Sequence, residues 1–202
     1  AALLEEYERR QTAIRRRLEE FASVPATEYF YELVYCLLTP QSSAVNAARA
    51  VSAMQEADVF GRGADPAPIL FRKEAYIRFH NTKARRILEA REHFQEIAVR
   101  LAGNSPGGVV REWLVGNVKG MGWKEASHFL RNIGYRDLAI LDRHILRNLK
   151  LHGVIRSNPP SLTPKRYLAI ERAFERFAAA VGIPMDELDL LFWSRETGTI
   201  LK

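Results

Sequence analysis

The chain of 202 residues has almost no cysteine: Cys36 is the single thiol. One thiol forms no internal disulfide and cannot supply a four-cysteine zinc or iron-sulfur site. Cys36 lies in an apolar run, residues 33–38, which predicts a buried core residue. A chain that does not depend on disulfides is expected in a reducing cytoplasm.

Long hydrophobic runs are also missing, since no stretch approaches the roughly 18 to 20 apolar residues that span a bilayer. The amino terminus is charged and amphipathic, unlike a secretory signal. We therefore expect no membrane partner.

Strict alternation of apolar and polar residues, the mark of strands, is scarce, and no repeat or low-complexity tract occurs. Apolar residues instead recur every three or four positions almost throughout, which predicts an all-α protein. The pattern predicts helices over residues 3–21, 27–38, 44–55, 81–101, 165–181 and 184–193. With 47% hydrophobic and 27% charged residues, the composition indicates one compact unit.

Basic residues exceed acidic ones, and the net charge is +6. Such a surface favours polyanions, because each neutralised phosphate releases counterions. Nucleic acid is therefore the first partner to consider, although many basic proteins bind none.

A Gly-x-Gly turn, Gly120 to Gly122, separates a helix predicted to end near Val118 from one predicted to begin near Trp123. Two glycines allow positive φ angles and close approach of another backbone. Amides at the start of the second helix would point outward as donors to a phosphate. The alternative is an ordinary corner between helices, in which the glycines only permit tight packing.

Lys124 falls in the first turn of that second helix, where the helix dipole opposes a cation. An amine nucleophile must be deprotonated, and a helix start and partial burial both favour the neutral amine. The alternative is a solvated surface lysine.

Asp142 interrupts the apolar run from Leu138 to Leu146. A carboxylate in such a run needs a charged partner or a structural use. It could be the N-cap of a helix beginning at Arg143, or a catalytic carboxylate, and the two roles are compatible.

The segment Lys119–Asn132, followed by Leu138–His144, resembles the archaeal-type 8-oxoguanine DNA glycosylase/AP lyases. These belong to the helix-hairpin-helix superfamily, which includes endonuclease III. The resemblance implies two helical lobes, about 35–137 and 1–34 plus 138–202. It places the hairpin at their junction and a DNA-binding cleft between them.

The resemblance also implies a chemistry. Lys124 would attack C1′ of the damaged nucleoside and Asp142 would assist, giving a Schiff base that cuts the strand 3′ to the lesion by β-elimination. The nucleotide must be flipped out of double-stranded DNA to be reached. We expect no cofactor, and we expect a monomer that acts on nucleoid DNA.

Further DNA contacts are implied by matching positions. In Thr39–Ser42, Gln41 would fill the space left by the flipped base; the alternative is a neighbour of a helix cap. In Ile77–Ala84, Phe79 would be a wedge or plain core, and Arg78 would read the estranged cytosine. The remaining predicted DNA contacts are Lys83, Lys119, Gly120, Gly122 and His144.

The carboxyl-terminal segment is similar to the family's ending near the base pocket. There Trp193 would stack on the base, and the terminal carboxylate of Lys202 would accept the N7–H that distinguishes 8-oxoguanine from guanine. The alternatives are a core tryptophan and a frayed terminal residue.

Two histidines, His128 and His144, have no third ligand at metal spacing, so we expect no catalytic metal. Two rival functions remain. One is an endonuclease III-like glycosylase for another oxidised base, although those enzymes usually carry four cysteines. The other is a non-catalytic helix-hairpin-helix module that only binds DNA.

Overall fold

The computed structural model describes residues 2–198 and 200, and all regular structure in that part is helical. The prediction of an all-α protein is confirmed. The helices are α1 (Ala2–Ala22), α2 (Tyr29–Leu38), α3 (Ala44–Glu56), α4 (Ala67–Leu70), α5 (His80–Glu92), α6 (Phe94–Ala102), α7 (Gly107–Asn117), α8 (Trp123–Asn132), α9 (Arg143–Leu151), α10 (Pro164–Val181) and α11 (Met185–Thr197). Two 3-10 turns, Ala26–Glu28 and Lys73–Ala75, complete the set.

The chain divides into two compact units. The central unit is Pro25–Phe129, and the terminal unit joins the residues up to Val24 with those from Leu130 onward. Both divisions fall earlier in the chain than the lobe boundaries expected at 34/35 and 137/138.

In the terminal unit, α11 packs against α1, α9 and α10. Its core is apolar, with Ile14 of α1, Phe174 of α10 and Phe192 of α11 fully buried. The hydroxyl of Tyr7 donates a hydrogen bond to the Glu187 carboxylate, which ties α1 to α11. The two ends of the sequence therefore build one core.

In the central unit, α2 is buried on almost every side and contacts α3 and α5. Helices that are apolar around their circumference belong in a core. Phe30 of α2 meets Phe60 and Phe94 at ring-centroid distances of 4.7 and 5.4 Å. Burial of these rings dominates the packing of this unit.

The prediction of a single helix over residues 81–101 is wrong. The structure has two helices there, α5 and α6, separated at His93. His93 has φ −97° and ψ 7°, outside the helical region, and this interrupts the hydrogen-bond ladder. The break lets Phe94 pack against Phe30 and Phe60. Tertiary packing therefore overrides a continuous helical pattern.

The long helices α1 and α10 each keep a charged face in water. Among the residues that the structure describes, no helix is both long and apolar enough to cross a membrane.

Candidate functional site

The predicted hairpin is present as the connection from α7 to α8. The backbone N–H of Met121 donates to the carbonyl of Val118 at 3.1 Å, and α8 begins with the bond from Ala126 N–H to the carbonyl of Gly122 at 2.9 Å. Gly122 is therefore the N-cap of α8. Amides in the first turn of a helix have no acceptor within the helix, so this end is suited to an anion.

The two glycines of the turn serve different purposes. Gly120 has a φ of +87°, which favours glycine, and a side chain there would meet Arg86 Cδ at 2.5 Å. Gly122 does not have a positive φ. A Cβ at Gly122 would instead lie 2.8 Å from Glu125 Oε2, so this glycine leaves room for a carboxylate.

Lys124 is at the second position of α8, with 29% of its side chain exposed. Its Nζ lies 3.0 Å from Oε1 of Glu125, whose side chain is only 14% exposed. The amine that the sequence singles out is therefore accessible, held at a helix start and in contact with a partly buried carboxylate. Such an amine has the setting of a nucleophile with a base beside it.

Asp142 is the N-cap of α9. Its Oδ1 accepts from the backbone N–H groups of His144 and Ile145, both at 2.8 Å. Both bonds end on the same oxygen, so capping does not use Oδ2. The residue is half-buried. The structure therefore contains the predicted N-cap, and Oδ2 of Asp142 takes no part in capping.

The segment that leads to Asp142 is held from α10. The hydroxyl of Tyr167 donates to the carbonyl of Ala139 at 2.6 Å and accepts from the N–H of Leu141 at 3.3 Å. Glu171 accepts from the N–H of Ala139 at 2.8 Å. Because an irregular segment has its polar groups satisfied in this way, Asp142 is fixed in position.

A second carboxylate of the terminal unit, Asp189 of α11, interacts electrostatically with Asp142. Burial raises the pKa of Asp189 to about 7, the guanidinium of Arg131 opposes this rise and Asp142 adds to it. Arg131 Nη1 lies 3.2 Å from Asp189 Oδ1. Asp142 therefore lies close enough to the Arg131–Asp189 pair to affect the pKa of Asp189.

The two loops that the resemblance implies for DNA insertion both contain a strained residue. Gln41 has a φ of +57° and Phe79 a φ of +61°, a region that such side chains rarely adopt. Both side chains are exposed, Phe79 by 51%. Strain of this kind costs on the order of 1–3 kcal/mol and is kept where the surroundings impose it.

The loops contact each other directly. The N–H of Arg78 donates to Ser42 Oγ at 3.2 Å, and Asn46 Nδ2 donates to the carbonyl of Tyr76 at 3.1 Å. The Arg78 guanidinium lies 4.9 Å from the centre of the Phe79 ring. Gln41, Arg78 and Phe79 are thus presented by one connected surface of the central unit.

Lys83 does not have the exposed position that a direct DNA contact requires. It is buried, and its Nζ donates to the carbonyls of Leu38 and Pro40, both at 2.7 Å, and to Ser42 Oγ at 3.3 Å. Burial lowers the pKa of Lys83 to about 8. The residue connects α5 to the loop of Gln41, so the structure points to a positioning role in place of the predicted contact.

Replacing Lys83 by methionine is expected to destabilise the fold by about 1–3 kcal/mol, because two buried carbonyls lose their donor. Urea unfolding at pH 7 measures the change. Lys165→Met, at an exposed lysine of α10, is the matched control and should stay within about 0.5 kcal/mol of the native chain. Equal stability of the two variants would contradict the role assigned to Lys83.

The loss of stability in Lys83→Met should also depend on pH. In the folded chain Lys83 loses its proton near its pKa of about 8, whereas an unfolded lysine does so near ~10.4. Between these values the unfolded state holds more protons, so stability gains from rising pH in the native chain and not in the variant. Urea unfolding at pH 8 and pH 10 measures this effect. The difference in free energy of unfolding between the native chain and Lys83→Met should be larger at pH 10.

His144 and Trp193 lie together in the terminal unit, with ring centroids 6.5 Å apart and planes at 80°. The Nδ1 of His144 is 3.6 Å from Glu196 Oε2, and Arg143 Nε donates to His144 Nε2 at 3.2 Å. Both rings are half-buried. Lys202, assigned to base recognition, lies outside the described residues.

Within residues 2–198 and 200, no three histidine, cysteine, aspartate or glutamate side chains group closely enough to hold an ion.

Two polar residues of these sites, Glu125 and Asp189, were not predicted from the sequence, and Lys83 was predicted with a different role. Glu125 follows Lys124 directly and takes the third position of α8, where glutamate often folds back to the cap, so a sequence signal existed. The buried position of Lys83 and the site of Asp189 carry no such signal, because the partners of these residues lie far away in the sequence.

An all-α chain with a glycine hairpin ahead of an accessible lysine, and with a helix-capping aspartate, has the features of a helix-hairpin-helix glycosylase of the lyase type. A family model described as 8-oxoguanine DNA glycosylase matches residues 14–183. The 8-oxoguanine DNA glycosylase/AP lyase of Fusobacterium nucleatum is 41% identical over 97% of this chain and 94% of its own length. The chain belongs to the 8-oxoguanine DNA glycosylase family.

Solved structures agree with this membership. The Methanocaldococcus jannaschii 8-oxoguanine glycosylase/lyase, in complex with a 15mer DNA containing 8-oxoguanine, has a TM-score of 0.87 and 33% identity, with complete coverage of both chains. The 8-oxoguanine DNA glycosylase of Thermotoga maritima has a TM-score of 0.85 and 36% identity, over 100% of this chain and 99% of its own.

Proposed function

We propose that this protein excises 8-oxoguanine from double-stranded DNA and then cuts the strand at the resulting site. The observation that carries the proposal is the partly exposed start of α8, where Lys124 contacts Glu125 in the first turn after the glycine hairpin. The likeness to relatives named 8-oxoguanine DNA glycosylase/AP lyase, over nearly the whole chain, supports the same conclusion.

Lys124 is the proposed nucleophile. Its amine attacks C1′ of the flipped nucleoside, the bond to the base breaks, and the opened sugar remains as an imine on Lys124. The imine acidifies the C2′ proton, and β-elimination then cuts the strand on the 3′ side. One amine thereby performs both base excision and strand cutting.

Asp142 is the proposed second catalytic residue. The sugar becomes cationic as the bond to the base breaks, and a fixed carboxylate lowers the energy of that state. The cap bonds to His144 and Ile145 hold the carboxylate in place. Because the group is fixed before the reaction, no reorganisation is needed at the moment of bond breaking.

DNA binding is assigned to two surfaces of the central unit. The hairpin, with Gly120, Gly122 and the exposed Lys119, would contact backbone phosphates. On the connected loop surface, Gln41 and Phe79 would fill the gap that the flipped nucleotide leaves. Support comes from their exposure and from the strained backbone that presents them.

The remaining assignments are Arg78 as reader of the estranged cytosine, His144 as a phosphate contact, and Trp193 and Lys202 at the base. The exposed guanidinium of Arg78 supports the first. His144 would have to leave Glu196 to reach a phosphate. We further propose that the protein acts as a monomer on nucleoid DNA in the cytoplasm.

A panel of duplexes tests the function. Each holds a single 8-oxoguanine opposite cytosine, an oxidised pyrimidine, or undamaged guanine, and both base release and strand cutting are measured. Release from the 8-oxoguanine duplex alone is the expected result. Preference for the oxidised pyrimidine would favour an endonuclease III-like enzyme, and binding without release from any duplex would favour a DNA-binding module.

A further inference from the structure

The carboxylate of Glu125 is the group in contact with the amine of Lys124, at 3.0 Å. It is held there by its position at the start of α8 and by the space that Gly122 leaves beside it. An amine that becomes an imine gives up protons on the way, so its attack on C1′ requires a proton acceptor. The Lys124–Glu125 distance is within reach of direct proton transfer.

We propose that Glu125 is a catalytic residue that accepts the proton of Lys124 as the amine attacks C1′, a role that rests on the function proposed above. An N–H bond of the ammonium breaks and an O–H bond forms on Glu125. The freed electron pair of the amine forms the bond to C1′, and the electron pair of the bond to the base departs with the base. The base anion then takes up one proton, which restores the Glu125 carboxylate.

The proton count closes without any other reactant. Of the three protons on the Lys124 ammonium, one is balanced by the proton taken up by the departing base. A second moves to O4′ when the sugar ring opens, and the third stays on the imine nitrogen. The positive charge of the ammonium becomes the positive charge of the imine, so no oxidant, metal or cofactor takes part.

Lys83 of α5 lies within electrostatic reach of both members of the Lys124–Glu125 pair. Two cations of α5, Lys83 and Arg86, lie close by: both Arg86 and Lys124 disfavour the charged form of Lys83, and Glu125 favours it. Glu125 is therefore a carboxylate within reach of both Lys83 and Lys124.

Two carboxylates would then divide the chemistry. Glu125 accepts the proton of the nucleophile, and Asp142 stabilises the cationic sugar. This division predicts different pH dependences for the two variants, because a missing proton acceptor can be replaced by hydroxide and a missing electrostatic stabiliser cannot.

The test is the single-turnover excision rate of Glu125→Gln on an 8-oxoguanine duplex, with enzyme at saturation, from pH 6.5 to 9.5. We expect a rate about 100-fold below the native one at pH 7, with a deficit that shrinks as pH rises. The excision rate of Asp142→Asn should stay below the native rate by a similar factor at every pH in this range. Glutamine also satisfies a capping position, so Glu125→Gln isolates the effect of the charge.

Two further variants complete the design. Glu125→Asp keeps a carboxylate, so its rate should be lower than native but without the steep dependence on pH. Glu20→Gln, at a carboxylate of α1 that pairs with Arg17 at 2.6 Å, is the control and should react at the native rate.

The outcomes separate the proposals. If Glu125→Gln is as fast as the native protein at pH 7, or faster, the carboxylate only holds the ammonium and the inference is wrong. A deficit that is constant with pH contradicts it too. If the native protein itself releases no base, the proposed function fails and not this inference alone.

Discussion

Lys124→Gln is expected to lower the rate of 8-oxoguanine excision by about 10⁴-fold or more, because the reaction loses its nucleophile. The affinity for the lesion duplex should stay within a few-fold of native, since the glutamine keeps the size of the side chain and the hairpin is unchanged. Single-turnover kinetics and a binding titration measure the two quantities separately.

The control for Lys124→Gln is Lys165→Gln, which removes one positive charge from an exposed position on α10. It should bind and react like the native protein. Substantial excision by Lys124→Gln would show that another group attacks the sugar. A loss of affinity that accounts for the whole effect would instead assign Lys124 to DNA binding.

Asp142→Asn has the second largest expected effect, a fall in excision rate of about 10²- to 10⁴-fold. Asparagine is as good an N-cap as aspartate, so α9 and the fold should be preserved. The substitution thus removes the negative charge and keeps the two cap bonds to His144 and Ile145. Excision kinetics and thermal unfolding together separate the two roles of this residue.

Thr163→Ala is the matched control for a lost cap. Thr163 caps α10 by accepting from the N–H of Arg166 at 3.4 Å, and its removal should cost about 1 kcal/mol of stability with no change in rate. If Asp142→Asn behaves like Thr163→Ala, or fails to fold, the carboxylate is structural and its catalytic role is refuted.

Much of the fold follows from local sequence patterns. The helical period predicts an all-α protein, and Asp142 ahead of an apolar helix predicts the N-cap that the structure contains. The glycine turn predicts the start of α8 at Trp123. Each of these features depends on residues within a few positions of one another, so the sequence carries the information directly.

Features that depend on distant partners could not be predicted in this way. No proline or glycine marks the break at His93, which is explained by the packing of Phe94 against Phe30 and Phe60. The sequence does not distinguish Lys83 from a surface lysine, because its acceptors, the carbonyls of Leu38 and Pro40, lie far away in the sequence.

In the candidate site, too, some features follow from local sequence patterns and others only from the folded structure. Local patterns place Lys124 and Asp142 at helix starts, which the structure contains, whereas the catalytic roles of the two residues stay predictions. The contact between Lys124 and Glu125 joins adjacent residues, yet the sequence alone does not show that their side chains meet, because neighbours in a helix point in different directions.

The most direct test of the account is to trap the native protein on an 8-oxoguanine duplex with borohydride and to locate the sugar adduct by mass spectrometry of peptides. Borohydride reduces an imine to a stable amine, so the modified residue is the nucleophile. The account predicts a single adduct, on Lys124. An adduct on another amine, or cleavage of the DNA without any adduct, would contradict it.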